Sequence, residues 1–262
     1  MKKIFCLLFL FILIFILISK ISFAQVNTEK LRKNSLEQGF SGDAGFEFGL
    51  NAGNSNYLSF DGNLRMDYLI NKLDFFLVSD YEYKKGNRQK ILDQGFTHLR
   101  CDITLSQKTF LEFFTQKEFN DFISLKDRNL LGSGLRFYIL TLNSKVNKNS
   151  RLSIFLGIGA MYENEVYNAQ PQQITKNLIR STNYLDFYWQ PDSLINFSLV
   201  NYFQPYVSSV KNFRWLADAK LQFSISQYFA FTTHFILRYD NRPVIKIKKY
   251  DLALTNGITV SF

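Results

Sequence analysis

Two histidines, His98 and His234, are the side chains of this sequence best suited to acid–base chemistry near neutral pH. Two imidazoles cannot complete a three-histidine metal site, and the sequence contains no metalloprotease, phosphate-loop or nucleophile-elbow motif. A Ser-His-acid hydrolase would need one of the histidines beside a serine, and Ser106 is the candidate partner of His98. We therefore expect no catalytic residues, and a hydrolase is the last of three functional hypotheses.

The two cysteines offer little further chemistry. Cys6 lies in an apolar run near the N-terminus, and we expect that run to be cleaved off during export. Cys101 is then the one cysteine of the mature chain. A single cysteine excludes an intramolecular disulfide and cannot form a thiolate metal site. The sequence therefore predicts no metal and no cofactor.

Residues 1–24 have the three parts of a secretory signal peptide. Two lysines supply a positive start, residues 4–18 are continuously apolar, and residues 22–24 form a small-x-small cleavage site. The apolar run is shorter than the ~20 residues that a membrane-spanning helix needs. Cleavage would start the mature chain at Gln25 and lower the net charge from +9 to +6, because three lysines and no acid are removed.

The polar residues of the remaining chain recur at every second position. In the stretch GDAGFEFGLNAG, residues 42–53, apolar side chains such as Phe46 and Phe48 alternate with Asp43 and Glu47. A period of two is typical of a β-strand with one apolar and one polar face. The alternation continues towards the C-terminus and predicts one polar, lumen-facing set: Asp43, Glu47, Asp61, Arg65, Arg136, Arg180, Arg214, Asp218, His234 and Arg238.

This period predicts an all-β protein of twelve strands, near residues 41–53, 57–70, 73–83, 92–104, 108–119, 128–140, 151–163, 179–189, 193–203, 212–225, 228–239 and 248–262. Tight connections alternate with longer polar ones, which we place at 84–91, 120–127, 164–178, 204–211 and 240–247. Two connections depart from this pattern: 54–56 is short for an outer loop, and 141–150 is long for an inner one. Short turns at one end and longer loops at the other, on an even number of strands, are typical of an antiparallel transmembrane β-barrel of outer-membrane type.

The last six residues, GITVSF, fit a closing strand. Ile258, Val260 and Phe262 occupy its apolar positions. A sheet can cross hydrocarbon only when it closes on itself, so the last strand should pair with the first. The terminal Phe also resembles the C-terminal signal that the outer-membrane barrel assembly machinery recognises. The alternative fold is a water-soluble β-sandwich or lipocalin-like barrel, whose strands alternate with the apolar face inward.

Five short segments, taken in order, resemble the outer-membrane proteins of domain-of-unknown-function family 481 (DUF481). They are residues 53–56 (GNSN), Arg128 with residues 132–134 (GSG), residues 239–243 (YDNRP), residues 249–251 (KYD) and residues 257–262 (GITVSF). The likeness runs from about residue 40 to the C-terminus. It implies a barrel in the outer membrane of a Gram-negative cell envelope, and it brings neither an agreed activity nor catalytic residues.

These observations divide the chain into a signal peptide (1–24), a periplasmic N-terminal extension (25–40) and an outer-membrane β-barrel (41–262). Charges of both signs in a narrow lumen favour ion pairs, so the leading hypothesis is a structural or binding envelope protein with a largely occluded lumen. A narrow porin-like channel for small solutes would use the same residues. Residues 25–40 could instead form a plug. Gly157 and Gly159 face inward, and we expect them to mark a bend of their strand; the space beside them could also admit a solute or an in-folded loop.

The expected partners are outer-membrane lipid, lipopolysaccharide and the barrel assembly machinery. Basic residues concentrate in two predicted external loops, where they can bind lipopolysaccharide phosphates; they are Lys84, Lys85, Arg88, Lys90, Arg242, Lys246, Lys248 and Lys249. No pattern of nucleic-acid recognition occurs, and the sequence leaves the oligomeric state open.

Overall fold

The computed structural model describes residues 27–32, 38–53, 56–87, 89–143, 150–169, 171–226, 228–244 and 247–260. The predicted signal peptide and Phe262 lie outside these residues. The strands are β1 (Gly39–Asn51), β2 (Tyr57–Ile70), β3 (Leu73–Gly86), β4 (Gln89–Ser106), β5 (Thr109–Asn120), β6 (Leu125–Asn143), β7 (Arg151–Tyr167), β8 (Ile174–Gln190), β9 (Ile195–Tyr206), β10 (Ser209–Ser224), β11 (Phe229–Asp240) and β12 (Tyr250–Val260).

The twelve strands form one antiparallel sheet in which each strand pairs with the next along the chain. The prediction of an all-β, twelve-stranded antiparallel sheet is thus confirmed. Within the described residues, no ladder joins β12 to β1, so closure of the sheet stays a prediction. The described residues also contain no helix that is long and apolar enough to cross a membrane.

The sheet is strongly curved, because side chains of distant strands meet on one face. The hydroxyl of Tyr184 on β8 donates to both carboxylate oxygens of Glu112 on β5, at 2.9 Å. In a flat sheet, three strand spacings would separate these residues by about 14 Å. Thr28 bridges an even wider gap, since its hydroxyl contacts both Arg100 on β4 and Tyr202 on β9. The face that carries these residues is therefore concave, and its side chains share one interior.

The two faces of the sheet have the polarity opposite to that of a soluble protein. On the convex face the side chains of Phe46 and Ile158 are 77% and 50% exposed. On the concave face Glu165 and Arg180 are 0% and 2% exposed. Some large apolar side chains are buried as well; among them is Phe76, and the guanidinium groups of Arg65 and Arg100 lie over its ring.

The connections are shorter than the sequence suggested, which corrects four of the five long loops. The predicted loops 84–91 and 204–211 are two-residue turns, at 87–88 and 207–208. The predicted loops 120–127 and 164–178 shrink to 121–124, which contains a 3₁₀ turn (Asp121–Ile123), and 168–173. The segment 241–249 is long, as expected. The strands are longer than predicted because their polar ends are held by ion pairs. Lys90, which the sequence placed in a loop, lies 2.7 Å from Asp93 and 2.6 Å from Asp121.

A sheet of this topology has two ends. The proximal end, where the chain joins β1, carries the connections 71–72, 107–108, 144–150, 191–194 and 225–228; the distal end carries 52–56, 87–88, 121–124, 168–173, 207–208 and 241–249. The C-terminal strand β12 runs towards the proximal end and pairs with β11. Ile258 and Val260 lie on its convex face and are 74% and 52% exposed.

Candidate functional site

The concave face carries two groups of buried charges. The first, which we call the distal ion cluster, joins strand positions near the distal end: Glu118, Arg128, Glu163, Glu165, Arg180, Arg214 and Asp240. The second group lies nearer the proximal end and surrounds residues 27–32, which we call the N-terminal segment. A period-two sequence positions both groups, because every second residue of each strand points to the concave face.

Glu163 is the centre of the distal ion cluster. One of its carboxylate oxygens lies 2.7 Å from Arg180 Nε, and the other lies 3.0 Å from Arg128 Nε and pairs with Arg214. Glu165 binds two of the same arginines, at 2.7 Å from each. Charged groups this deeply buried are tolerated only when they are paired and hydrogen-bonded. The side chains of the cluster therefore fill this part of the interior, and moving one of them away would leave its partners without an ion pair.

The N-terminal segment folds as a turn of its own. The side-chain oxygen of Asn27 accepts a hydrogen bond from the backbone N–H of Lys30 at 3.2 Å. The N–H of Arg32 donates to the carbonyl of Glu29 at 3.0 Å. Asn readily supplies such a local cap to a short turn. The turn presents Glu29 and Arg32 to the concave face.

The carboxylate of Glu29 is fully buried between arginines of the sheet. It pairs with Arg100 and lies 3.4 Å from Arg136 Nη1. Burial alone would raise the pKa of this carboxyl, but the guanidinium groups of Arg32, Arg100 and Arg136 outweigh it and hold the pKa well below its ordinary value. Glu29 is therefore an anion at any pH at which the protein would operate.

The guanidinium of Arg32 meets the opposite charge. It pairs with Asp102 and lies 2.6 Å from Glu112 Oε1. Burial would lower its pKa, but the carboxylates around it raise the pKa well above the ordinary value. The carbonyl of Leu31 also accepts a hydrogen bond from Arg65. The segment is thus held from strands β2, β4, β5 and β6.

Two spaces beside the N-terminal segment differ in size. A cavity of about 40 Å³ lies between the N-terminal segment and the distal ion cluster, beside His98 and Thr182. It has room for only about two or three water molecules. A larger cavity of about 320 Å³ adjoins the N-terminal segment and is lined by Arg151, Asp186 and Lys220 among others. We call this larger space the proximal cavity.

The structure places the ten predicted polar residues on the concave face, in different surroundings. Asp43 and Glu47 stand opposite Arg65 and Asp61 on β2, and both are exposed because β1 is the first strand of the sheet. Six residues join the two buried groups or their surroundings: Arg65, Arg136, Arg180, Arg214, Asp218 and Arg238. His234 Nε2 lies 2.7 Å from Asp218 Oδ1. Their role as a lumen lining stays a prediction.

The geometry does not bring the candidate hydrolase pair together. His98 is fully buried, its Nδ1 lies 3.1 Å from Gln116 Oε1, and its ring stacks on Phe114. Ser106 lies eight residues further along the same strand, which is about 27 Å away. Cys101 lies on the convex face beside Leu99. In the part of the chain that the structure describes, no group of three or more metal-ligating side chains occurs.

The interior space expected at the two glycines of β7 is already filled. A Cβ atom on Gly157 would collide with the ring of Tyr184, and one on Gly159 would meet the backbone of Ser133 and Gly134. Neither glycine leaves room for a solute, which corrects that expectation. The absent side chains instead let Tyr184 lie flat against β7 and reach Glu112.

The basic loop-tip residues are partly neutralised. Lys84 lies 3.7 Å from Glu82 and 3.9 Å from Asp61, and Lys90 is paired with two aspartates. Arg88 and Lys246 lie outside the described residues. Fewer free positive charges are therefore available to lipopolysaccharide phosphates than the sequence suggested.

Sequence reasoning missed the N-terminal segment as part of the interior. Of the predicted periplasmic extension, the structure describes residues 27–32 and 38–40. Residues 27–32 lie among the buried charges of the sheet, where Asn27, Thr28 and Glu29 are all buried. Gly39 and Phe40 already belong to β1, which corrects the predicted start of the barrel at residue 41. The compartment of the N-terminal segment stays a prediction, and its placement favours the plug that the sequence left as an alternative. The available signal was an acid and an arginine three positions apart, next to strands rich in both charges.

The fold and the interior together define a class: curved twelve-stranded antiparallel sheets with an apolar convex face and an ion-paired concave face. Residues 43–262 match the model of the family described as "Protein of unknown function, DUF481". The chain belongs to this family, as the sequence resemblance predicted.

Other comparisons add little. No curated protein matches the chain. Among solved structures the chain is similar to one described as "NanC porin structure in rhombohedral crystal form", with 11% sequence identity and a TM-score of 0.40. The match covers 78% of this chain and 94% of the other. At this level the similarity says nothing about activity.

Proposed function

We propose that the protein is an outer-membrane β-barrel of the cell envelope whose lumen is occluded in the state described here. In this proposal residues 1–24 direct export and are removed, β12 pairs with β1, and the convex face contacts lipid. The protein serves a structural or binding role and has no catalytic activity. Its partners are outer-membrane lipid, lipopolysaccharide and the barrel assembly machinery.

The observation that carries the proposal is the inverted polarity of the sheet. Large apolar side chains cover the convex face while charged ones are buried inside. In water this arrangement would expose an apolar surface far larger than soluble monomers tolerate. In a bilayer it is favourable, because the apolar band meets acyl chains and the buried carboxylates and guanidinium groups of the interior pair with one another. The soluble sandwich with an apolar interior fits this distribution poorly.

Occlusion is supported by how the interior is filled. The distal ion cluster closes one half, the N-terminal segment occupies the other, and the cavity between them holds about 40 Å³. A hydrated solute cannot pass through a space of that size. Opening a path would require the buried carboxylates and guanidinium groups to separate, which leaves uncompensated charges.

A narrow channel is the second candidate. The proximal cavity, at about 320 Å³, is large enough for a small solute and has charged side chains of both signs in its wall. A channel would need the N-terminal segment and the distal ion cluster to rearrange together.

Two measurements test the proposal. Purified protein in detergent should migrate differently on gels before and after boiling, as closed barrels do, and should remain silent in planar bilayers. A steady unitary current would favour the channel instead. A monodisperse, detergent-free protein in buffer that shows no heat-dependent shift would contradict the barrel itself.

The export step has its own measurement. Mass spectrometry of the protein from the membrane fraction should find an N-terminus at Gln25. Retention of residues 1–24 in the membrane-inserted protein would contradict a cleaved signal.

A further inference from the structure

The N-terminal segment is held in the way that a protein holds a peptide ligand. Its recorded backbone hydrogen bonds are internal, apart from the one that the carbonyl of Leu31 accepts from Arg65. Every other contact with the sheet is made by a side chain. The hydroxyl of Thr28 lies 3.0 Å from Tyr202 Oη and accepts from Arg100 at 2.9 Å. The segment contributes no strand to the sheet.

The site that receives the segment has two poles of opposite charge. Arg100 and Arg136 receive the carboxylate of Glu29, and Asp102 and Glu112 receive the guanidinium of Arg32. Such a site selects a ligand that carries an acid and a base at a fixed separation. An acid three positions before an arginine, in a turn, supplies that separation here.

The arginines of the site keep ion pairs within the sheet when its occupant leaves. Arg100 already lies 3.7 Å from Glu112, and Arg136 Nη2 lies 3.1 Å from Asp186. When the segment leaves, these pairs remain, and water can reach them through the proximal cavity. Arg100 and Arg136 therefore avoid the penalty of an unpaired buried charge, and only Asp102, whose ion pair is with Arg32, must be solvated by the water that enters.

The proximal cavity gives a route for exchange. It adjoins Asn27, Glu29, Lys30 and Arg32, and its wall reaches Arg151, the first residue of β7 at the proximal end. Lys30 is half exposed there and lies 3.9 Å from Asp218. Among the residues that the structure describes, the N-terminal segment forms one wall of this cavity, so a peptide that enters the cavity contacts the segment.

We propose that residues 27–32 are an exchangeable internal ligand, and that the site they occupy binds short peptides with an acidic residue three positions before an arginine. The inference rests on the proposed barrel, whose interior forms the site. Bound peptide makes the same contacts as the segment: its acid meets Arg100 and Arg136, and its arginine meets Asp102 and Glu112.

The test uses the full-length protein with the substitutions Glu29→Gln and Arg32→Gln combined, which release the segment and leave the sheet unchanged. The probe is a fluorescent peptide of residues 27–32, blocked at both ends, and binding is followed by fluorescence anisotropy in detergent. The control variant is Lys30→Gln, because Lys30 makes only a long contact. The control probe is the same peptide with Glu29→Gln and Arg32→Gln.

The double variant should bind the probe at least ~10-fold more tightly than the wild-type protein, because the tethered segment competes at an effective concentration on the order of millimolar. Lys30→Gln should behave like the wild type. The control probe should bind the double variant roughly 10- to 100-fold more weakly than the probe, because it lacks the charge-assisted hydrogen bonds.

A double variant that keeps its heat-dependent gel shift and binds neither peptide, or binds both equally, would overturn the inference and leave the barrel standing. Loss of the gel shift in the wild-type protein would instead contradict the proposed function. The two failures are therefore distinguishable.

Discussion

Glu163 is the residue at which the loss of one buried charge should lower stability most clearly. Three arginines share its carboxylate, so Glu163→Gln leaves them with one negative charge fewer in a buried site. We expect the substitution to lower the free energy of unfolding by about 3–5 kcal/mol. Urea-induced unfolding in lipid vesicles, followed by tryptophan fluorescence, measures this.

Glu82→Gln is the matched control, because Glu82 lies 3.7 Å from Lys84 and the two side chains are 26% and 33% exposed. An ion pair of this kind contributes under about 1 kcal/mol. Equal effects of the two substitutions on the free energy of unfolding would show that the distal ion cluster is hydrated and stabilises the fold no more than an exposed ion pair does.

Gly157 is the position at which the absence of a side chain decides the packing. Gly157→Ala would drive a Cβ atom into the ring of Tyr184 and break its hydrogen bonds to Glu112. Overpacking of this kind costs about 1–3 kcal/mol. Gly257→Ala is the control, since no atom lies within 4 Å of the new Cβ. The same unfolding measurement should separate the two, and an unaffected Gly157→Ala protein would mean that Tyr184 has another place to go.

The sequence identified which residues face inward but not which of them pair. A period of two assigns Arg136, Arg180 and Arg214 to the concave face without any knowledge of the fold. Their partners come from other strands, so pairing depends on register and curvature, which no single strand encodes. Arg214 on β10 meets Glu163 on β7, and nothing in either strand alone predicts that contact.

Whole strands were easier to predict than their ends. The alternation runs for ten or more residues in most strands, and β2 begins and ends at the predicted residues. The ends were missed where charged residues continue a strand beyond the apolar band, as in β3, which extends through Lys84 and Lys85 to Gly86. A run of polar residues predicts a loop, but cross-strand ion pairs stabilise polar strand ends equally well.

The N-terminal segment shows the opposite limit of sequence reasoning. The stretch NTEKLR has the composition of a solvated linker, and it has no period that predicts burial. Its conformation is imposed by partners on six strands, from Arg65 on β2 to Asp218 on β10. Only the folded sheet brings those partners together.

The two ends of the sheet make a prediction about orientation. In an outer-membrane barrel the longer connections face outward. In this protein the longest connection, 241–249, lies at the distal end, although 144–150 at the proximal end is longer than the distal connection 168–173. An epitope tag inserted between Pro171 and Gln172 should therefore be detected by antibody on intact cells. The same tag between Asn71 and Lys72, at the proximal end, should be detected only after the outer membrane is permeabilised. The reverse pattern would invert the orientation.

Taken as a whole, the molecule separates its two kinds of surface by curvature. The twelve antiparallel strands form a sheet with two different faces. On the concave face, charged side chains from distant strands contact each other, and over much of the convex face the side chains are apolar. Each face requires the other, because pairing the charges needs the sheet to curl and curling turns the apolar side chains outward. A sheet with its apolar side chains on the outside is favoured by apolar surroundings of the convex face.

The convex face therefore supplies the sharpest test of the membrane proposal. Ile158 lies at the middle of β7 and is 50% exposed, whereas Leu142 lies next to the end of β6 and is 56% exposed. In a bilayer, Ile158→Arg should cost about 2–4 kcal/mol of folding free energy and Leu142→Arg about 0–1 kcal/mol, because the cost of a charge falls towards the interface. In water, both substitutions would be nearly neutral, since each side chain is already exposed. Folding into lipid vesicles, titrated with urea, measures the difference; equal and small effects at the two positions would show that the convex face does not contact lipid.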